Sequence, residues 1–241
     1  MLADHVFEET KPDAIYAYHT APLEVGQIAT TDGGMMAGRD RLTVKMTGEG
    51  DLEAAGKRVR DAILAISTLP PSAAMAPVSD REFLFVQAGA AVPDRTGRGS
   101  QLTAFITNAS EAARRKARAS VEQALASIVM EGVSFDHEYE AKSIAGVTND
   151  PELTKRAVEV ARMRLGVDSV LDLTTVVPAF SEDFGSFQDE VPGVMFFLGV
   201  SNAEKGWVGL PHSPGYVADE ASILVGAKAM AAILLDRLFE D

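Results

Sequence analysis

The alternation of apolar and polar positions changes period several times along the chain, and each change marks an element. Residues 14–18 form an apolar run that ends at His19, and a second run, 25–28, follows Pro22. Runs apolar on both faces predict strands buried in a parallel sheet that helices cover. Gly33 and Gly34 break this pattern. Leu42, Val44 and Met46 then alternate with Thr43, Lys45 and Thr47, which predicts a half-buried strand. Leu52, Ala55, Val59, Ala62, Ile63 and Ile66 recur at spacings of three and four, the signature of an amphipathic helix. Pro70 and Pro71 stop that helix, and 72–79 reads as loop. Strands are expected at 83–86 and 102–106, joined by a polar loop carrying Pro93, Gly97 and Gly99. Asn108, with Glu111 three residues on, predicts a capped helix start. That helix should run to about Glu131 and end at Gly132, with a strand over 135–144.

The order β-α-β-β-α-β is the split, ferredoxin-like pattern of a four-stranded sheet with two helices on one face. After it the rhythm changes. Asn149 or Asp150 can cap a helix with Pro151 in its first turn and Gly166 at its stop. A strand at 170–177, a short helix at 181–188 opened by Ser181, and a buried strand at 194–200 follow. A last helix over 219–238 is expected to pack through Ile223, Leu224, Ala227, Ala231, Leu234 and Leu238. The fold class is therefore α/β: a parallel or mixed sheet layer interrupted by an inserted ferredoxin-like βαββαβ domain. The expected division is 1–36 and 147–241 for the outer layer and 37–146 for the insertion.

Composition narrows the function classes. Of 241 residues 46% are hydrophobic and 24% charged, an ordinary globular balance. No apolar run approaches the roughly 18 residues of a membrane-spanning helix, so no membrane is expected as partner. Twenty-two Lys and Arg against 35 Asp and Glu give a net charge of −13. An acidic surface repels phosphate backbones, which argues against nucleic acid. The basic cluster Arg114, Arg115, Lys116 and Arg118 reads as a solvated helix face. The chain has no cysteine, which excludes a disulfide framework and thiolate chemistry. The acidic N-terminus does not resemble a secretory signal, and a cytoplasmic location is expected.

Four histidines can be weighed singly. His5 reads as a surface residue and His137 as a solvent-facing strand residue. His19 ends an apolar strand, where α/β sheets place functional groups. His212 sits in the Pro- and Gly-punctuated loop Leu210-Pro211-His212-Ser213-Pro214-Gly215. These two, from distant segments, could share a metal with carboxylates. Glu182 and Asp183, in an apolar frame, read either as a carboxylate with a raised pKa or as first-turn acids behind a Ser181 cap. No dinucleotide fingerprint, P-loop or nucleophile elbow occurs.

Several spaced motifs carry a resemblance. Asp13-Ala-Ile-Tyr-Ala-Tyr-His19-Thr-Ala-Pro22, Met36-Ala-Gly-Arg-Asp40, Val147-Thr-Asn-Asp150, Glu182-Asp-Phe184, and Leu210-Pro-His212-Ser-Pro214 with Asp219-Glu220 occur in that order. Together they resemble the metal-dependent aminoacylase/carboxypeptidase family, in the branch of hippurate hydrolase and the indole-acetyl-amino-acid amidohydrolases. The resemblance implies a zinc-peptidase-like α/β domain with an inserted lid used for dimerisation. It implies hydrolysis of N-acyl amino acids or short peptides with divalent metals (zinc, manganese or cobalt) and a glutamate base. His19 and His212 match metal ligands of that branch.

The departures are equally specific. The family's first metal ligands and its glutamate base lie upstream of the histidine matching His19, and no counterpart is present. No catalytic residue is therefore assigned. The lid motif appears as Gly48-Glu-Gly50-Asp-Leu52-Glu-Ala54-Ala55, without its histidine. The family's lid asparagine falls at Ala90, and its substrate arginine at Ile106 or Thr107. The expectation is an N-terminally truncated relative, incomplete or inactive as an isolated chain, that assembles as a homo-oligomer or with a complementing subunit. The alternative is a non-catalytic relative that dimerises or regulates through its lid.

Overall fold

The computed structural model describes residues 2–239. The chain divides into two units. One comprises the residues up to Met35, Thr148–Thr174 and those from Phe184 on; the other comprises Met36–Val147 and Thr175–Asp183.

The first unit is built on a four-stranded mixed sheet. Strand β1 (Ile15–Glu24) lies at one edge, and β2 (Ile28–Thr30) is a fully buried inner strand. The turn through Val25–Gln27 uses Gly26 at φ 101°, so the predicted second strand begins only at Ile28. β1 is half-buried rather than covered on both faces, because an edge strand has a neighbour on one side only. Two short strands, β3 (Gly33–Met36) and β9 (Val147–Asn149), pair with each other.

Helix α3 (Pro151–Leu165) starts as its sequence predicts. The Asp150 carboxylate accepts from Leu153 N–H at 2.9 Å, and Gly166 closes it at φ 98°. After it, β10 (Val170–Asp172) is shorter than the eight residues expected. The short helix α4 spans Phe184–Gln188, leaving Ser181 outside its first turn. Strand β11 (Gly193–Ser201) runs parallel to β1 and antiparallel to β2, while β10 runs parallel to β2.

The last helix, α5 (Ala221–Leu238), corrects an expectation. Its buried positions are Ser222, Gly226, Ala229, Ala232 and Ile233, whereas Ile223, Leu224, Leu234 and Leu238 are exposed. Close approach to the sheet selects small residues: a Cβ added at Gly226 would lie 3.2 Å from the Leu198 side chain and 3.6 Å from Tyr18. The large apolar side chains, which fit no such contact, point outward.

Asn149 ties this unit together. Its side-chain amide donates to Thr30 Oγ1 and to the carbonyls of Thr31 and Met195, all at 3.0 Å, while its oxygen accepts from Met195 N–H at 2.8 Å. It is 1% exposed, so every polar atom it brings into the interior needs such a partner.

The second unit has the predicted βαββαβ order: β4 (Gly38–Gly48), α1 (Leu52–Leu64), β5 (Leu84–Ala88), β7 (Gly99–Asn108), α2 (Glu111–Ala126) and β8 (Val133–Ile144), with the two-residue β6 (Val92–Pro93) beside β7. The main sheet order is β5-β7-β4-β8, antiparallel throughout. Both helices pack on the face carrying Leu42, Val44, Met46, Leu102, Ala104 and Ile106.

Ser110, not Asn108, caps α2, accepting from Ala113 N–H at 3.0 Å. Asn108 is instead buried at the end of β7, where its amide donates to Asp40 at 3.2 Å. The helix ends at Ala126, short of Glu131, and Gly132 (φ 71°) serves the turn into β8.

The buried polar centre here is Asp40, which is fully buried. Its carboxylate accepts from Arg114 Nε at 3.2 Å, Asn108 Nδ2 at 3.2 Å, Tyr139 OH at 2.7 Å and Lys142 N–H at 2.8 Å. Arg114, read from sequence as solvated, is only 11% exposed because it answers this charge. Arg115, Lys116 and Arg118 do face solvent. Burial and the Asp40 carboxylate together push the Tyr139 phenol above its usual range, so it stays the donor.

Candidate metal-ligand site

His19 and His212 come together in the first unit, although 193 positions separate them in sequence. Their ring centroids are 6.4 Å apart with planes inclined at 48°. Each reaches that position by a distinct local device.

His19 lies within β1 rather than at its end, since the strand continues to Glu24 past a register irregularity after Ala21. It pairs in register with Phe197 of β11 and meets that ring edge-on at 6.0 Å. Its Nδ1 lies 2.7 Å from the Thr20 carbonyl oxygen. A carbonyl only accepts, so Nδ1 carries the proton and Nε2 the lone pair. A backbone carbonyl that fixes the tautomer in this way is the usual second partner of a metal-ligating histidine.

His212 is presented by a tight turn. Ser213 N–H donates to the Leu210 carbonyl at 3.2 Å, and Ser213 Oγ donates to the same oxygen at 2.6 Å. Pro211 stands at the second position of this turn and His212 at the third, with φ 65°. That is the pattern of a type II turn, whose third position normally takes glycine. A histidine held there pays about 1–2 kcal/mol for its left-handed backbone. Such strain persists where the surrounding structure over-determines it, and it concentrates at functional sites.

The loop that carries His212 is pinned at both ends. Asn202 and Trp207 exchange backbone hydrogen bonds at 2.8 and 2.9 Å, closing a turn with Gly206 at φ 72°. On the far side Asp219, 3% exposed, donates its N–H to the Val200 carbonyl at 2.8 Å. Its carboxylate accepts from Asn202 Nδ2 at 2.6 Å, Lys205 Nζ at 2.9 Å and Ala221 N–H at 3.0 Å. The backbone donor of Ala221, then the Lys205 ammonium and the Asn202 amide, hold its carboxyl down at about 2. Lys205 Nζ also sits 4.6 Å above the Trp207 ring. Sequence reasoning missed this cluster; its only trace was the Asp219-Glu220 pair among the family-like motifs.

The other candidates fall elsewhere. His5 is exposed and pairs with Glu8 at 2.6 Å. His137 is exposed on β8, with Nε2 3.2 Å from the likewise exposed Glu122 of α2. Asp183 is exposed, and its N–H donates to Glu182 Oε1 at 2.9 Å, so the pair forms a local turn ahead of α4. Ile106 and Thr107 are fully buried in β7, and Ala90 is exposed after β5.

Two imidazoles 6.4 Å apart leave room for one ion at bonds of about 2.0–2.1 Å. Among the described residues no group of three or more His, Cys, Asp and Glu side chains could hold a metal. The pair therefore fits part of a coordination shell, one short of the three protein ligands usual in catalytic zinc sites.

The architecture is thus a mixed α/β unit in which two histidines from distant segments meet, together with a ferredoxin-like unit. The family model for peptidase family M20/M25/M40 matches residues 1–236, and the chain belongs to that family. It is 28% identical to the N-acetyldiaminopimelate deacetylase of Streptococcus pneumoniae (strain Hungary19A-6) over all of this chain and 64% of that protein. It is also 28% identical to the IAA-amino acid hydrolase ILR1-like 4 of Arabidopsis thaliana, over 94% of this chain and 54% of that protein. Its fold matches the crystal structure of the Bacillus subtilis YXEP protein, a dinuclear metal binding peptidase from the M20 family. The TM-score is 0.71 at 20% identity, over 98% of this chain and 60% of that one. The chain thus spans somewhat under two thirds of the length of these relatives. Among the described residues no helix is long and apolar enough to cross a membrane.

Proposed function

We propose that this chain carries part of the centre of a metal-dependent amidohydrolase, with His19 and His212 as ligands to a divalent cation: zinc, manganese or cobalt. The observation that carries the reading is the convergence of the two rings at 6.4 Å, one with its tautomer fixed and the other held in a strained turn. The substrate class is an N-acyl amino acid or short peptide, in keeping with the deacetylase and amino-acid hydrolase that the chain resembles. When bound, the cation supplies Lewis-acid polarisation of an amide carbonyl and activation of water. His19 contributes a lone pair on Nε2, pre-oriented by the Thr20 carbonyl, and His212 closes on it from the loop. No general base is assigned among the described residues.

The ferredoxin-like unit we read as the lid, and the assembly as a homo-oligomer or a complex with a complementing subunit. The exposed Ile223, Leu224, Leu234, Leu235 and Leu238 on α5 support association, since apolar patches of that kind seek cover. A second reading, a non-catalytic dimerising or regulatory relative, draws on the lid motif of 48–55 without its histidine, on Ala90 in place of the family's asparagine, and on Ile106 or Thr107 in place of its arginine.

Calorimetric titration of the metal-stripped protein with zinc, manganese and cobalt, followed by assay on N-acetyl amino acids, separates the two. Binding that His19→Ala and His212→Ala abolish supports the first reading. Absence of binding to the intact protein leaves only the second.

A further inference from the structure

We infer that Asp219 is a positioning residue: through Asn202 and Lys205 it locks the loop 208–218, so that His212 faces His19. Its relevance to metal rests on the ligand reading above, but the clasp itself does not.

The loop leaves β11 at Asn202 and returns at Asp219, immediately before α5, so the two residues are its gateposts. After a 3-10 turn at Ala203–Lys205, the stretch 208–218, with Pro211, Pro214 and Gly215, forms no strand or helix, and Val208, Leu210, His212 and Val217 are exposed. Little apolar burial holds such a segment, and its geometry depends on how its ends are fixed. One buried carboxylate performs that fixing. Oδ2 accepts from both Asn202 and Lys205 on the outgoing side, and Oδ1 accepts from Ala221 at the start of α5. Asn202 in turn accepts from Lys205 N–H at 3.1 Å, and Lys205 covers Trp207, whose backbone pairs with Asn202. Both side-chain donors on the outgoing side, Asn202 Nδ2 and Lys205 Nζ, converge on this one carboxylate.

The positive φ of His212 adds a second reason. A strained turn in an exposed loop relaxes unless its ends are held, so the 65° value needs a constraint beyond the turn's own hydrogen bonds. Asp219 is buried and charged, with Lys205 alongside as its counter-charge, and supplies that constraint.

The test uses the full chain with Asp219→Ala, Asp219→Asn and, independently, Asn202→Ala. Hydrogen exchange of the metal-free protein comes first. Amides of 206–218 are expected to lose protection in Asp219→Ala and Asn202→Ala, while those of β11 and the middle of α5 keep theirs. Asp219→Asn, which retains an acceptor for Ala221 but not the ion pair, should fall between. Unchanged protection of 206–218 in both alanine variants overturns the clasp. Cobalt titration then reads the consequence for His212. Affinity should drop about 10–100-fold in Asp219→Ala, the scale typical of losing an outer partner of a metal ligand, with partial recovery in Asp219→Asn. Loss of protection with undiminished affinity overturns the positioning role. Failure of the wild-type protein to bind cobalt defeats the ligand reading instead, and the exchange data alone then decide the clasp.

Discussion

Replacing His212 by glycine and, separately, by alanine isolates the strain in the turn that presents it. Both variants lack the imidazole, so the loss of its contacts cancels between them. Alanine must still adopt the left-handed backbone at φ 65°, whereas glycine adopts it freely. The left-handed conformation costs an L-residue about 1–2 kcal/mol. Glycine gives back about 0.5–1 kcal/mol through its greater freedom in the unfolded chain. The glycine variant should therefore be the more stable by about 0.5–1 kcal/mol. With a urea dependence of about 2 kcal/mol per molar, its unfolding midpoint should lie about 0.25–0.5 M higher at an unchanged slope. Neither variant should bind a divalent ion through this site. Equal midpoints, or a more stable alanine variant, would refute the claim that the turn is held in its strained form.

Other substitutions probe the framework. Asp40→Asn removes the buried carboxylate partner of Arg114 and leaves it only the exposed Glu111. It should cost about 3 kcal/mol in denaturant unfolding, the low end for breaking a buried pair, while the double variant Asp40→Asn/Arg114→Met recovers part of the loss. Tyr18 has no hydrogen-bond partner for its hydroxyl among the described residues, so Tyr18→Phe should leave stability at pH 7 unchanged or raised. Burial pushes that phenol from 10.0 to about 12, so the unfolded chain ionises first. Stability is intact below pH 10 and falls as pH rises toward 12, and a pH series of thermal melts should show Tyr18→Phe lacking that share of the fall. Gly48→Ala forces a Cβ to within 2.0 Å of the Gly132 carbonyl at φ 134° and should destabilise far more than Gly97→Ala, where space is open at φ 69°. Comparative unfolding midpoints check the ranking.

The βαββαβ order was legible because its strands alternate cleanly and its helices repeat at three and four, as in Leu42, Val44 and Met46 or Ala55, Val59 and Ile63. Helix α3 was legible because Asp150, Pro151 and Gly166 are local signals that the structure uses as they stand. The misses lie where tertiary demand overrides local preference. Asn108 offered a cap, but Asp40 required its amide, and Ser110 capped the helix instead. Helix α5 was assigned the wrong face because periodicity finds the largest apolar stripe, whereas the sheet accepts the small one through Gly226, Ala229 and Ala232. Arg114 looked like its solvated neighbours until the buried Asp40 partner was placed. Of the site, His19 and His212 were legible as residue types in suitable places, and their meeting was not, since it depends on β11 bringing β1 and the 208–218 loop together. The Asp219 clasp was invisible because its partners are individually ordinary.

Whether His19 and His212 ligate one divalent centre is read by anomalous diffraction at the zinc edge from crystals of the full chain grown with zinc. A single strong anomalous peak is expected at about 2.0–2.1 Å from a ring nitrogen of each histidine, Nε2 in the case of His19. A peak elsewhere, or none between the two rings at saturating zinc, would contradict that ligation.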